Sequence, residues 1–376
     1  MSRPVYSKEE LESSGKEYPF TKLPFFPDDL NSDPQLKKPI SPCDNMKLLL
    51  SGEKPYWIPY GSPFVSDVLD FRPRQCADNF ANHQCFDGEA MPDWANYPLT
   101  TRGWFDLEWE FVPQVGGATV HPGHPIITDM NDWQTLNFPD LDALDWEEIA
   151  KNESTYLTIN KYKYLSVQCS FFERLMVLMD TAEACMAIID EDQEDAIHAF
   201  FDRYADFMIE YIRRVKEVCP SIDGVYAHDD WAHQNGPFIS PATARRMLLA
   251  PTKKLIDAVH EMGMFFTIHC CGYAEMMIPL FEEMGADLWD GQETANDFGK
   301  YAKEYKDYHL AFMLPPPQFP EGMTNEELDK AAWDWVQEYK DCRVVLKTCN
   351  MSTNEFIDKR FREKVYEYSR KALENA

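Results

Sequence analysis

From about residue 150 the chain repeats one pattern, and that pattern constrains its fold more than any other feature. An amphipathic helix leads through a glycine turn into a short apolar strand, and the next helix follows at once. Two consecutive units even share letters, VHEMGMFFTI over 259–268 and FEEMGADLW over 281–289. Strands that alternate with helices at this spacing form βα units, and parallel neighbours need such a crossover because a tight turn cannot join them. Six strands are legible in this half: YKYLSVQCSF from 162, DGVYAHDDW from 223, FFTIHCCG from 265, ADLWDGQE from 286, HLAFMLP from 309 and CRVVLKTCN from 342. With this many parallel strands the expected fold is a closed (β/α)8 barrel of the α/β class. A chain of 376 residues would divide into two or three average domains, but a barrel with insertions reaches that length as one. There is no GxGxxG turn and no GxxxxGK[ST] loop, so dinucleotide and P-loop chemistry have no footing.

Local signals punctuate the helices. Pro241 stands at the start of PATARRMLLAPTKKLIDAVHEMG and Gly263 at its stop. Thr324 and Glu327 have capping-box spacing ahead of the helix that runs to about 340. Residues 1–50 are polar and Pro-rich without a sustained period and read as an N-terminal arm. The single barrel domain then covers 51–376, opening with an aromatic strand, YWIPYGSPF, closed by Gly61 and Pro63. Residues 64–150 form an irregular insertion rich in rings: Trp94, Tyr97, Trp104, Phe105, Trp109, Phe111 and Trp133. It reads either as a loop layer with its own small core or as a lid over a pocket.

Charge narrows the partners. Lys plus Arg number 36 against 64 Asp plus Glu, a net charge of −28. Nucleic acid and anionic membrane surfaces both call for positive charge, so neither is an expected partner. No run approaches the length of apolar residues a membrane helix needs, and the first twenty residues lack a signal-peptide apolar core. A cytoplasmic, reducing location is the default expectation, where cysteines serve as ligands or core rather than bridges. A homo-oligomer is left open.

Catalytic groups of a parallel barrel sit at the C-terminal ends of its strands. Here those ends read His228, Asp229 and Asp230, then His269, Cys270 and Cys271, then Gln292 and Glu293, and finally Cys349. Side chains alternate along a strand, so His269 and Cys271 share a face while Cys270 turns to the other. With Cys349 from the last strand they make one nitrogen and two sulfur donors, a set that suits Zn2+ and leaves a fourth position open for chemistry. The competing reading makes His269 a hydrogen-bonded core histidine and the cysteines small apolar fillers. Glu293 could take the fourth position, orient a ligand, or form a rim ion pair. Asp229 or Asp230 could move a proton or orient substrate, or serve as a helix cap and a rim charge, and since His228 and Asp229 face opposite ways at most two of the three enter the mouth. Tyr60 and Trp231 are candidate substrate contacts, and His121 and His124 read as turn residues.

On HDDWAHQNGPFISP from 228, IHCCGYAEMMIPLFEEMGAD from 268 and the late Cys349, the sequence resembles the uroporphyrinogen decarboxylase superfamily, and within it the zinc-dependent corrinoid methyltransferases. The resemblance covers residues 150–370 well and the N-terminal part weakly. It implies a (β/α)8 barrel with zinc held by His269, Cys271 and Cys349. It also implies a partner protein carrying a corrinoid. A decarboxylase fits less well, because that activity is associated with an N-terminal arginine cluster and Arg3 is the only arginine before Arg72.

Two directions of methyl transfer share these ligands. One moves a methyl group from a small methylated donor, such as a methoxylated aromatic, to the cobalt of the corrinoid protein. The other moves it from the corrinoid protein to a thiol. The aromatic-rich insertion and Trp231 favour the aryl ether. A metal-free decarboxylase and a non-catalytic barrel that binds a corrinoid or tetrapyrrole stand as alternatives.

Overall fold

The structure, a computed structural model, describes residues 3–17, 34–61, 67–89, 100–112, 117–347, 349–350, 355–356 and 358–374. Its centre is one eight-stranded sheet of (β/α)8 type, as the βα alternation predicts. In chain order the strands are β1 Tyr60–Gly61, β2 Val68–Phe71, β3 Tyr162–Val167, β4 Gly224–His228, β5 Phe265–Cys270, β6 Leu288–Gly291, β7 Ala311–Leu314 and β8 Val344–Lys347. They follow one another around the sheet as β2-β3-β4-β5-β6-β7-β8-β1, with β8 pairing parallel to β1. Strands β3, β5 and β7 are apolar or buried along most of their length because both faces of a parallel sheet are covered.

The helices that matter here are α1 Phe171–Met179, α2 Glu194–Val218, α3 Leu249–Glu261, α4 Ile278–Met284, α5 Phe298–Glu304, α6 Asn325–Tyr339 and α7 Lys359–Ala372. Thr324 caps α6 with Glu327 closing the box, as its spacing predicts. Two apolar helical runs, FERLMVLMDTAEACMAIID from 172 and PATARRMLLAPTKKLIDAVHEMG from 241, are each broken in two. The first stops at Asp180, whose φ of +71° cannot continue a right-handed helix, and a short helix Thr181–Ala187 follows. The second divides at Leu248 into Pro241–Met247 and α3. The aromatic strand expected from residue 56 shrinks to the two residues of β1. Within the described part of the N-terminal arm, Pro42–Leu50 is a helix, capped by Ser41.

Contacts divide the chain into two units. The first holds residues 1–70, 159–163 and 287–376. Within it Lys38 forms an ion pair with Asp67 at 2.6 Å and lies 4.7 Å from the Trp57 ring centroid and 5.2 Å from that of Tyr60. A cation set over ring faces and against a buried carboxylate is held by both forces. Arg370 of α7 likewise reaches Glu10 of the arm at 2.9 Å.

The second unit holds residues 71–158 and 164–286. Its insertion contains the three-stranded antiparallel sheet Thr100–Arg102, Glu108–Val112 and Gly117–Val120. Trp104, Phe105 and Trp109 are buried rather than displayed. Trp104 meets Phe207 and Tyr211 of α2 edge-on at 5.0 and 5.2 Å, and Phe105 meets Phe200 at 6.5 Å. Offset and edge contacts of this kind are the favoured ring geometries. Arg174 of α1 and Asp78 form a fully buried ion pair beside them, and the second Asp78 oxygen accepts the Trp104 N–H at 2.8 Å. These described rings therefore make a core for the insertion; Trp94 and Tyr97 lie outside the described residues.

Candidate functional site

The mouth cluster of the second unit is built where β4 and β5 end side by side. Their parallel register sets His269 opposite His228, and the two rings stack at 4.3 Å between centroids, 25° apart. Past the strand end the chain turns sharply. Gly272 adopts φ +74°, and a Cβ there would lie 2.5 Å from His233 N and 2.6 Å from Ala232 O. Only glycine tolerates both conditions, and the turn brings Cys271 back beside its strand.

The result is a convergent donor pair. His269 Nε2 lies 3.1 Å from Cys271 Sγ. The other ring nitrogen, Nδ1, is 2.7 Å from the Tyr226 hydroxyl. The Cys271 N–H donates to Asp230 Oδ1 at 2.8 Å, and that oxygen is 3.9 Å from both His269 Nε2 and His228 Nδ1. His228, Asp230 and His269 offer ligand atoms within 4.8 Å of one another. Nitrogen and sulfur donors on one tetrahedral zinc stand about 3.5 Å apart, so His269 and Cys271, in hydrogen-bond contact at 3.1 Å, would have to part by about 0.4 Å to share such an ion. The alternative chemistry of the same pair is a hydrogen-bonded thiol and imidazole.

His228 is held from behind. Its Nδ1 is 2.8 Å from Glu173 Oε2, in the first turn of α1. Burial lowers the proton affinity of this imidazole, but Glu173 and then Asp230 more than offset it, and the group is raised to about 9.

Asp229 does different work. It is buried, and its carboxylate accepts the N–H groups of Phe171 at 3.2 Å and Glu173 at 2.8 Å. Ser170 makes no side-chain cap, so a carboxylate from the end of β4 caps α1 in its place. Burial pushes that carboxyl up to about 7, against the pull of the Glu173 N–H. Of the two aspartates, Asp230 joins the mouth cluster, with its side chain about a quarter exposed.

The remaining sequence-predicted residues are placed as follows. Cys270 is fully buried, and burial drives its thiol well above the usual range, as its outward strand position implies. Trp231 is fully buried with its ring 5.3 Å from Phe281 of α4, which makes it a packing residue. Tyr60 is buried in the first unit and donates to the Arg362 carbonyl at 2.8 Å. Glu293, also in the first unit, is held by Lys347 at 3.1 Å, and the same ammonium reaches Asp290 at 2.9 Å. Cys349 begins a two-residue strand paired antiparallel with Glu355–Phe356, and its side chain lies outside the described residues. His121 is exposed in a turn beside Glu110 at 2.8 Å. Two residues of the cluster were not singled out from the sequence, Tyr226 and Glu173. Tyr226 could have been found, because it stands two positions before His228 and so shares its face. Glu173 gives no such signal.

Among the described residues no helix is long and apolar enough to cross a membrane. Among curated proteins no sequence match is found. Of solved structures, a methyltransferase from Methanosarcina mazei superposes with a TM-score of 0.59 at 14% identity, over 89% of this chain and 99% of that one. A chitinase from Chromobacterium violaceum is far weaker, with a TM-score of 0.33 at 10% identity over 58% of this chain and 83% of its own. The first likeness shows the fold. Residues 166–314 match the family Uroporphyrinogen decarboxylase (URO-D), and that stretch contains Glu173, Tyr226, His228, Asp230, His269 and Cys271, the whole described mouth cluster.

Proposed function

We propose that this chain is a zinc-dependent methyltransferase of a corrinoid-dependent O-demethylase system. In this reading His269, Cys271 and Cys349 hold the metal, and a separate corrinoid protein docks over the barrel mouth to receive the methyl group from a methoxylated donor. The observation that carries it is the 3.1 Å approach of His269 Nε2 to Cys271 Sγ at the end of β5. An imidazole nitrogen and a sulfur converging at a strand end, where barrel enzymes do their chemistry, are two of the donors such a centre requires.

A zinc ion at these donors supplies Lewis-acid polarisation of the donor oxygen. The chain's own groups do the rest. Asp230 fixes Cys271 through its backbone N–H and keeps a partly exposed carboxylate beside His269 and His228, where it can accept hydrogen bonds and orient a substrate. Asp229 caps α1 and thereby sets Glu173 against His228. Glu293, whose carboxylate is already held by Lys347, is not assigned as a fourth donor. A corrinoid carried by the partner would supply, as Co(I), the electron pair for the new bond to the methyl carbon and become methyl-Co(III), while the donor oxygen would keep the pair of the bond that breaks.

A specific observation supports testing the reverse direction with equal weight. The insertion rings Trp104, Phe105 and Trp109 and also Trp231 are consumed in packing, so they no longer favour an aryl substrate over a thiol. Elemental analysis of the purified protein should find about one zinc per chain. Cys271→Ser and Cys349→Ser should each lower that content. Near-zero zinc in the wild type, or full retention in the double variant, overturns the proposal. Methyl transfer to Co(I) corrinoid from a methoxyarene, set against transfer from methyl-corrinoid to a thiol, then assigns the direction, and neither product refutes methyl transfer.

A further inference from the structure

We infer that Tyr226 is the positioning residue of His269, fixing which ring nitrogen faces the metal. The inference rests on the zinc reading above and deepens it. Tyr226 lies on β4, opposite Thr267 of β5 in the parallel register. Its ring is stacked on Tyr164 of β3 at 5.2 Å and tilted against His269 at 5.7 Å, and the residue is buried. A ring wedged between two others has little freedom, so its hydroxyl is held where it stands, 2.7 Å from His269 Nδ1.

That bond uses the nitrogen pointing away from Cys271. A neutral imidazole carries one N–H, and a metal bond at Nε2 requires the proton to sit on Nδ1. The Nδ1–H then donates to the Tyr226 hydroxyl oxygen while Nε2 keeps its lone pair turned toward the cysteine sulfur. Outer partners of this kind set the tautomer and the ring angle of a ligand histidine. The neighbouring imidazole is treated differently: His228 Nδ1 meets the Glu173 carboxylate. Two stacked histidines thus have separate supports, a phenol for the one paired with Cys271 and a carboxylate for the other.

The test is Tyr226→Phe, which keeps the ring and removes only the hydroxyl. Zinc affinity is read by competition with a chromophoric chelator, with Tyr164→Phe as the control on the other face of the same ring. Tyr226→Phe should weaken zinc by about 10–100-fold and shift the visible absorption bands of the Co2+-substituted protein, while Tyr164→Phe stays near wild type. Nitrogen-15 shifts of the His269 ring in the wild-type protein need no variant at all, and should show a protonated Nδ1. Equal zinc affinity in Tyr226→Phe and wild type, or a protonated Nε2 with metal at Nδ1, overturns the inference and leaves the zinc reading standing. Absence of zinc from the wild type removes both.

Discussion

Gly272→Ala is the sharpest probe of how the turn after β5 makes the site. Gly272 sits at φ +74°, which for an L-residue with a side chain costs about 1–2 kcal/mol. The added Cβ would also meet backbone, 2.5 Å from His233 N and 2.6 Å from Ala232 O. These are about 1 Å inside ordinary van der Waals contact, and neither atom is the tip of a flexible side chain. Forcing extra atoms into such a place typically costs about 1–3 kcal/mol more. The expected loss is therefore about 2–5 kcal/mol, read as a fall in the urea midpoint with chelator present. Relief requires the Gly272 and Ala232 backbones to part, which drags Cys271 away from His269, and zinc content after dialysis should drop because metal donors tolerate only a few tenths of an ångström. Gly263→Ala is the internal control. It has the same φ of +74° but nothing within 4 Å of its would-be Cβ. It should show only the conformational term, about 1–2 kcal/mol, with zinc binding unchanged. If the two variants match in stability and in zinc content, the steric account of the turn is wrong.

Two further outcomes test other parts of the molecule. Arg174→Met should destabilise the protein by about 3–5 kcal/mol in chemical denaturation, because it strands the buried Asp78 carboxylate, and Arg174→Met with Asp78→Asn should recover much of that; a loss below about 1 kcal/mol refutes the anchoring role. In alkylation followed by mass spectrometry, the buried Cys76, Cys85 and Cys219, whose thiols burial pushes up to about 12, should stay unmodified. Partly exposed Cys271, Cys185 and Cys342 should react, with zinc protecting Cys271 but neither Cys185 nor Cys342, and equal labelling of Cys271 with and without zinc counts against its ligand role.

What the sequence by itself determined follows from short-range geometry. A helical period of 3.6 and a strand period of 2 are properties of neighbouring residues, so the βα alternation, the Thr324–Glu327 cap and the opposite turn of Asp229 could be read from spacing alone, whereas Cys271, one residue past the end of β5, reaches His269 through the turn that follows the strand. The tertiary structure decided what each of those side chains meets. Asp229 became the cap of α1, which begins 58 residues earlier, because β3 and β4 are neighbours and Ser170 offers no cap of its own. Glu173 reached His228 by the same adjacency. Glu293 found Lys347, 54 positions away, and the rings of the insertion found α2 rather than an open slot. Contacts of that range depend on strand order and register, which are fixed only when the whole sheet assembles, so no local window of sequence contains them.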